Sequence, residues 1–211
     1  MKGGPVEIST FLDRKLGRRF RTFDTDGDGF IERDDFERSA TRLGEEFGHR
    51  PDSPACKRLM DLSLQLWQRL AAVADTDHDG RISEEEYRSA FSAGLLETPA
   101  SFDQGYRPFL DAIMQIADVD HDGMLAVGEY VRWTGALMGL PEAQGREVFR
   151  RLDDNGDGFV TTDDVLEAIR DYYFDEDPES AGSWLLGPLD LEEEWDIQER
   201  GHEGTLGAGP P

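Results

Sequence analysis

The chain has 211 residues and a formal charge of −24, from 46 acidic and 22 basic residues. So acidic a chain repels nucleic acid and anionic membrane surfaces, and it favours cations or basic partners. No segment approaches the roughly 20 apolar residues of a membrane helix, and the amino terminus lacks the apolar core of a signal peptide. We therefore expect a cytoplasmic monomer with no nucleic-acid or membrane partner. The single cysteine, Cys56, excludes an internal disulfide, and we interpret it as a small core residue.

The first predicted element is an amphipathic helix that Ser9 or Thr10 can cap. Basic residues cover one side of this helix, and we interpret them as a solvated face that offsets nearby acid rather than as a patch for phosphate. The apolar residues recur at helical spacing and comprise Phe11, Leu12, Leu16, Phe20 and Phe23.

An acidic segment of twelve residues, 24–35, follows this helix. Asp24, Asp26 and Asp28 stand at its positions 1, 3 and 5, Gly29 at position 6 and Asp35 at position 12. A Ca²⁺ ion takes six to eight oxygens at about 2.3–2.6 Å, and short carboxylates at alternate positions can converge on one such ion. Glycine at position 6 permits the positive φ that turns the chain around the ion. This is the EF-hand loop pattern.

The same pattern recurs three more times along the chain. The Gly and Pro residues of segment 48–54 end the second helix, and a long helix then leads to a loop at residues 75–86. Pro99 marks the midpoint, and shorter helices lead to loops at residues 118–129 and 153–164. We expect two halves, residues 9–97 and 98–174, with one pair of loops in each.

The candidate metal ligands are side chains at positions 1, 3, 5 and 12 and the backbone carbonyl at position 7. The side-chain ligands are Asp24, Asp26, Asp28, Asp35, Asp75, Asp77, Asp79, Glu86, Asp118, Asp120, Asp122, Glu129, Asp153, Asn155, Asp157 and Asp164. The carbonyl ligands are those of Phe30, Arg81, Met124 and Phe159. We expect up to four bound Ca²⁺ ions.

Differences in ligand residues between the loops predict differences in their metal affinity and ion preference. Loop two (75–86) has the full set, whereas Ala126 gives loop three (118–129) no side-chain oxygen at position 9. Position 12 is Asp in loops one (24–35) and four (153–164), which is one methylene shorter than Glu. That favours the six-fold geometry of Mg²⁺, so we expect these two loops to accept Mg²⁺ as well. His78 and His121 occupy position 4, which is not a ligand position, and we expect both to be exposed.

Position 8 is apolar in all four loops, as Ile31, Ile82, Leu125 and Val160. We expect each to point inward from a short strand that pairs with the strand of a partner loop. The predicted fold is therefore all-α, with four EF-hands in two pairs and a short two-stranded β-link in each pair.

The remaining segment, residues 175–211, carries eleven acidic residues and one basic residue. Trp184, Leu185 and Leu186 stand together in it, and an exposed apolar cluster of this kind would promote association. We expect residues 184–189 to dock on the helical body. The alternative is a flexible tail whose apolar residues bind another protein. Residues 201–211 are rich in Gly and Pro, and we expect them to be disordered.

The loops, their unequal spacing and the chain length resemble the sarcoplasmic calcium-binding protein family, particularly its bacterial calerythrin-like members. The resemblance covers residues 9–188. It implies two EF-hand pairs packed into a compact body, and a cytosolic Ca²⁺ and Mg²⁺ buffer. Several members of that family have a degenerate loop, whereas all four loops here keep oxygen side chains at positions 1, 3, 5 and 12.

The leading functional hypothesis is a non-catalytic Ca²⁺ and Mg²⁺ buffer or transporter. The alternative is a Ca²⁺ sensor that opens an apolar groove for a partner; the few methionines and many Phe, Trp and Leu residues favour a stiff core instead. A third hypothesis is a carrier of a small apolar ligand, as in the coelenterazine-binding and photoprotein relatives of this fold. Hydrolysis by a carboxylate pair is disfavoured, because the loop pattern already accounts for the carboxylates.

Overall fold

The computed structural model describes residues 8–96 and 102–189. Within these ranges eight α-helices follow in chain order: α1 (Thr10–Phe23), α2 (Arg33–Glu46), α3 (Pro54–Ala74), α4 (Glu84–Ser92), α5 (Arg107–Ala117), α6 (Val127–Met138), α7 (Glu142–Leu152) and α8 (Thr162–Phe174). Four two-residue strands lie in the loops: β1 (Phe30–Ile31), β2 (Ile82–Ser83), β3 (Leu125–Ala126) and β4 (Phe159–Val160). The boundary expected at residues 97–98 and the expectation for residues 201–211 fall outside the described residues. Over the described part of the chain, none of the helices combines the length and apolarity needed to cross a membrane.

Local sequence signals place the helix starts. Ser9 Oγ accepts from Leu12 N at 3.1 Å and Ser53 Oγ accepts from Cys56 N at 3.2 Å, so each serine satisfies one of the free amides at a helix amino terminus. Pro54 occupies the first turn of α3, where its missing N–H costs nothing. These contacts explain why α1 and α3 begin where the sequence predicts.

The second half does not open with a regular α-helix at Phe102. Residues Phe102–Tyr106 form a single π-helical turn before α5 begins. Pro108 has no N–H to donate to the carbonyl of Gln104, four residues earlier. The guanidinium of Arg69 in α3 donates to that carbonyl instead, at 2.8 Å. Proline thus interrupts the regular hydrogen-bond ladder, and another helix supplies the missing donor.

The loops are paired as the position 8 residues predict. Strand β1 pairs antiparallel with β2, and β3 with β4. Ile31 lies opposite Ile82, and Leu125 lies opposite Val160; all four side chains are fully buried. These links confirm the predicted all-α fold with two EF-hand pairs.

The two halves also pack directly against each other. Helix α2 packs against α6, and α3 packs against α5. The guanidinium of Arg132 in α6 forms a salt bridge with Glu46 of α2 at 3.0 Å and lies over the ring of Phe47. The hydroxyl of Tyr172 in α8 donates to the carbonyl of Lys15 in α1 at 2.5 Å. Direct packing of this kind gives one compact body rather than two separated lobes.

The segment after α8 runs back across the helices. Lys15 Nζ donates to the carbonyl of Asp175 at 2.6 Å, and Arg18 Nε donates to the carbonyl of Leu186 at 2.9 Å. Gly182 passes so close to α8 that an added Cβ would lie 2.3 Å from Asp171 Cβ. Backbone contacts with α1 and α8 therefore hold the segment in place.

The apolar residues of this segment do not share one environment. Leu185 and Leu186 are 6% and 2% exposed and belong to the core. Trp184 stays half-buried at the rim, where its Nε1 donates to the carbonyl of Pro178 at 3.1 Å and Arg151 lies over its ring. The indole keeps a polar partner by remaining at the surface, whereas the two leucines next to it reach the core.

Candidate functional site

Each loop begins where one helix ends and closes in the first turn of the next. Asp24, Asp75, Asp118 and Asp153 at position 1 are the carboxy-terminal caps of α1, α3, α5 and α7. Position 12 lies at the third residue of the following helix. Two helix ends therefore set the separation between the first and last candidate ligands.

Hydrogen bonds from loop amides orient the position 1 carboxylates. In every loop the position 6 glycine N–H donates to that carboxylate: Gly29 to Asp24 at 2.9 Å, Gly80 to Asp75 at 3.2 Å, Gly123 to Asp118 at 2.9 Å and Gly158 to Asp153 at 3.0 Å. These glycines have φ between 86° and 89°, the left-handed region in which a Cβ would be strained. The pattern explains why position 6 is glycine in all four loops.

The position 5 carboxylates turn toward the start of each strand. Each accepts a hydrogen bond from the backbone N–H of position 7: Phe30 to Asp28 at 2.9 Å, Arg81 to Asp79 at 2.8 Å, Met124 to Asp122 at 2.8 Å and Phe159 to Asp157 at 2.9 Å. The residues proposed as carbonyl ligands are thus tied to a candidate side-chain ligand two residues earlier.

Three loops bring carboxylate oxygens to one point. Oxygens of positions 1, 3 and 12 lie within 4.8 Å of one another in loops one, two and three: Asp24, Asp26 and Asp35; Asp75, Asp77 and Glu86; Asp118, Asp120 and Glu129. Two ligands on opposite sides of a Ca²⁺ ion are separated by about 4.8 Å, twice a typical bond of about 2.4 Å. The donor set and its spacing therefore fit a hard divalent cation.

Loop four offers a different donor set. Its position 3 is Asn155, whose Oδ1 accepts from Asp157 N at 2.9 Å and whose Nδ2 donates to Asp157 Oδ2 at 3.0 Å. An amide oxygen is a neutral ligand, so the loop has one negative charge fewer at positions 1, 3 and 5 than the others. Loop four therefore offers a cation a less negative set of side-chain donors than the other loops do.

The position 12 carboxylate accepts hydrogen bonds from both ends of its loop in loops one, two and three, and from the Thr161 end in loop four. In loop two, Glu86 Oε2 accepts from Ser83 N at 2.9 Å and Oε1 accepts from Thr76 N at 3.0 Å. Glu129 accepts in the same way from Val119 N and Ala126 N. Asp164 accepts from Thr161 N at 2.8 Å. The bond from the amide just before each outgoing helix is the carboxylate half of a capping box, and it pre-positions the last candidate ligand.

The carboxylates differ in the environment that each offers a charge. Burial raises the pKa of Asp24, against the opposing effect of amide hydrogen bonds from Gly29, Gly27 and Asp28. Desolvation, followed by the neighbouring Asp122, raises the pKa of Asp120. The hydrogen bond from the Ser83 amide, with others, lowers the pKa of Glu86 to about 2. The position 12 glutamate of loop two is thus stabilised as an anion, whereas Asp24 and Asp120 lack sufficient countercharge.

His78 and His121 are exposed at position 4, as expected. They adopt φ values of 61° and 62°, the conformation that glycine adopts at the same position in loops one and four. The two histidines lie in different loops, and the clusters of carboxylates do not include them.

The loop pattern does not predict one contact in loop one. Arg38 of α2 donates through Nη2 to Asp26 and to Asp35, at 2.8 Å in each case. The available signal was a basic residue three positions after position 12. Position alone does not decide the contact, because Arg132 stands at the same place after loop three and binds Glu46 instead.

Comparison with known proteins agrees with this geometry. A family model described as an EF-hand domain pair matches residues 13–92, and one described as an EF hand matches residues 146–165. Calerythrin of Saccharopolyspora erythraea is 32% identical over 161 residues, which cover 76% of this chain and 90% of the relative. The sarcoplasmic calcium-binding protein beta chain of Penaeus sp. is 27% identical, over 79% of this chain and 90% of the relative.

Among solved structures, a calcium-binding protein of Streptomyces coelicolor is similar to this chain, with a TM-score of 0.70 and 37% identity. The match covers 77% of this chain and 97% of that protein, whose structure was described in terms of prokaryotic calcium-mediated regulation. The sarcoplasmic calcium-binding protein of amphioxus shares the fold, with a TM-score of 0.65 and 23% identity over 86% of this chain and 98% of that one.

Proposed function

Because this chain belongs to the EF-hand calcium-binding proteins related to calerythrin and the sarcoplasmic calcium-binding proteins, we propose that it is a non-catalytic cytoplasmic buffer or transporter of Ca²⁺ and Mg²⁺. Convergence of the position 1, 3 and 12 carboxylates in loops one to three is the observation that carries this proposal. The twenty candidate ligands of the four loops hold up to four Ca²⁺ ions. Loops one and four also accept Mg²⁺, through the shorter Asp35 and Asp164.

The packing of residues 182–189 supports a buffer over a sensor. Sensor EF-hand proteins expose an apolar groove on binding Ca²⁺. Here Leu185 and Leu186 fill the groove formed in part by Tyr106, Trp133 and Ile169. The space left beside them is about 40 Å³, close to the volume of a water molecule. The chain itself thus occupies the surface on which a sensor would hold its target.

Calorimetric titration with Ca²⁺, with and without Mg²⁺, tests the proposal when a dye reports exposed apolar surface in parallel. If the protein is a buffer, it should bind four Ca²⁺ ions at saturation, and its apparent Ca²⁺ affinity should be lower when Mg²⁺ is present. The fluorescence of the dye should not change on Ca²⁺ binding. A large Ca²⁺-dependent rise in dye fluorescence would favour the sensor. Absence of Ca²⁺ binding would contradict both.

A carrier of a small apolar ligand is the third candidate, and one cavity gives it a location. This cavity, of about 360 Å³, is lined in part by Leu70, Tyr87 and Tyr106 between α3 and the turn before α5. Its volume is in the range of small-molecule sites. A coelenterazine-binding protein of Renilla muelleri shares the fold at 23% identity, which supports no more than the architecture. Mass spectrometry of protein purified without denaturation would reveal a retained ligand.

A further inference from the structure

Loop one contains a cation that belongs to the chain itself. Arg38 Nη2 lies 2.8 Å from Asp26 Oδ2 and 2.8 Å from Asp35 Oδ1, and Arg38 Nε lies 3.4 Å from Thr25 Oγ1. Asp26 and Asp35 stand at positions 3 and 12 and supply two of the three carboxylates that converge with Asp24. One guanidinium therefore bridges the ligands at opposite ends of the loop.

We propose that Arg38 is a built-in competitor for the metal ion of loop one, so that this loop fills at a higher Ca²⁺ concentration than loop two. The inference rests on the proposed Ca²⁺ binding and adds an order of filling to it. It also predicts different Ca²⁺ affinities for the two loops that end in Asp, because loop one carries the arginine and loop four does not.

The hydrogen bonds of Asp35 explain why the arginine and a metal ion conflict. Its Oδ1 accepts from Thr25 N, Thr25 Oγ1 and Arg38 Nη2, and its Oδ2 accepts from Glu32 N at 2.7 Å. Each carboxylate oxygen offers about two lone-pair positions, so Oδ1 of Asp35 has none free while Oδ2 keeps one. A metal ion can bind through both oxygens only if a donor leaves.

Loop two shows that four donors alone are no obstacle. Glu86 also accepts four hydrogen bonds, but two come from the hydroxyls of Thr76 and Ser83. A hydroxyl can turn its proton away and offer a lone pair instead. A guanidinium has no acceptor and does not lose its proton. Arg38 must therefore move as a whole, or remain and repel the divalent ion at short range.

Burial strengthens this repulsion. The side chain of Asp35 is only 2% exposed, while that of Arg38 is 45% exposed. Solvent thus screens little of the charge at the Asp35 end of the contact, yet Arg38 has room to swing outward into water. A low-cost path for displacement makes the arginine a reversible competitor rather than a permanent block.

The corresponding residues of the other loops, all within the described part of the chain, do not play this role. Three residues after position 12 stand Ser89, Arg132 and Glu167 in loops two, three and four. Arg132 turns to Glu46 and the ring of Phe47, on the other half of the molecule. In loop two, Arg81 contacts the single candidate ligand Asp79 at 3.2 Å. Among the described residues, a guanidinium that bridges two candidate ligands of one loop is therefore a feature of loop one.

The opposite role is a positioning residue that holds Asp26 and Asp35 ready for the metal. The two roles predict opposite results on removal of the charge. A competitor, once removed, leaves a loop with higher Ca²⁺ affinity and lower stability without metal, because the carboxylates then repel one another. A positioning residue, once removed, leaves a loop with lower Ca²⁺ affinity.

The structure supplies one reporter for each loop. The position 6 amides of Gly29, Gly80, Gly123 and Gly158 each donate to the position 1 carboxylate of their own loop, so metal binding should shift each amide resonance separately. The variants are Arg38→Gln and Arg38→Lys in the full chain. The control is Arg33→Gln, which removes the same charge from α2 but breaks only the exposed pair with Glu37.

In the unmodified chain we expect the Gly29 amide to respond at higher Ca²⁺ concentration than the Gly80 amide. Arg38→Gln should lower the Gly29 midpoint about tenfold and leave the Gly80 midpoint in place, since one unit charge is removed at short range. Arg38→Lys, which keeps the charge on a compact and more strongly hydrated group, should fall between. Arg33→Gln should change the Gly29 midpoint less than about twofold, as expected for an exposed charge.

An unchanged or raised Gly29 midpoint in Arg38→Gln would overturn the competitor role. The metal-free melting temperature is an independent readout: Arg38→Gln should lower it more than Arg33→Gln does, and equal melting temperatures would also count against the proposal. If none of the four glycines responds to Ca²⁺ in the unmodified chain, the proposed function itself fails. A failure of the arginine alone leaves the Gly80 response intact, so the two failures are distinguishable.

Discussion

The two halves of the molecule carry the same loop chemistry on different supports. Each half has one loop that ends in Glu and one that ends in Asp, and each joins its loops through a buried pair of position 8 residues. Yet α3 of the first half has 21 residues, whereas its counterpart α5 has 11 and follows a π-helical turn. The segment after α8 adds Leu185 and Leu186 to the groove that α5, α6 and α8 line in the second half.

The loops and the helices around them are therefore determined by different kinds of contact. The geometry of a loop depends on residues within twelve positions of one another, and it is repeated with little change. The helices and segments around the loops depend instead on contacts between distant residues that are not repeated in the other half, such as Arg69 with Gln104 or Arg18 with Leu186. Metal binding can therefore be retained while packing changes around it.

Of the changes considered, removal of the docked segment should lower the stability of the protein most. Truncation after Asp177 exposes the groove that Leu185 and Leu186 fill. Burial of a leucine contributes about 1.5–3 kcal/mol, and release of the ordered chain returns part of that as entropy. We expect a net loss of about 3 kcal/mol, seen as a melting temperature roughly 6–12 °C lower in saturating Ca²⁺, and stronger binding of an apolar dye.

Truncation after Leu189 is the matched control, because it removes most of the acidic tail and keeps both leucines. It should melt close to the full chain. Equal melting and equal dye binding in the two truncated proteins would refute the docking role, and would revive a partner-binding role for the segment.

Lys15 of α1, whose Nζ donates to the carbonyl of Asp175 just after α8, should make stability depend on pH. Desolvation lowers the pKa of Lys15 from 10.5 to about 8, although Asp175, Glu176 and Asp171 act in the opposite direction. Between pH 8 and 9.5 the folded chain therefore holds fewer protons at this residue than the unfolded chain, and stability rises with pH. The rise from this group is about 1.5 kcal/mol.

Lys15→Met should remove this increment, as measured by urea unfolding at pH 8 and 9.5. Lys57→Met, at an exposed lysine of α3, is the control and should keep the pH dependence of the original chain. Identical pH dependence in both variants would contradict the assignment to Lys15.

Lengthening the position 12 side chain of the two loops that end in Asp should change ion preference by a smaller free energy. Asp35→Glu in the first half and Asp164→Glu in the second each add the methylene that lets both carboxylate oxygens reach the ion. We expect Ca²⁺ preference over Mg²⁺ to rise about tenfold at each altered loop, or about 1.4 kcal/mol. The Gly29 and Gly158 amides report the two loops in competition titrations. An unchanged preference in both variants would show that side-chain length does not set the ion.

The sequence predicts the loops well because their determinants are local. The alternating carboxylates, the position 6 glycine and the apolar position 8 each impose a backbone or packing requirement within a few residues. The all-α fold with two β-links follows from these requirements. The same local reasoning identifies Leu185 and Leu186 as a cluster that needs burial.

Features that depend on distant partners could not be read from the pattern. The π-helical turn at Phe102–Tyr106 depends on Pro108 together with Arg69 from another helix. Trp184 remains at the rim because Arg151 and Pro178 provide polar partners there. Arg38 contacts the carboxylates of loop one, whereas Arg132, at the equivalent place after loop three, binds Glu46 of the other half instead. Such choices are made by tertiary structure.

The ion count of the intact protein tests the central claim most directly. Native mass spectrometry at saturating Ca²⁺ should show four ions on the full chain, one for each loop. Two or fewer ions would contradict the account, because at least one loop with converging carboxylates at positions 1, 3 and 12 would then bind no metal.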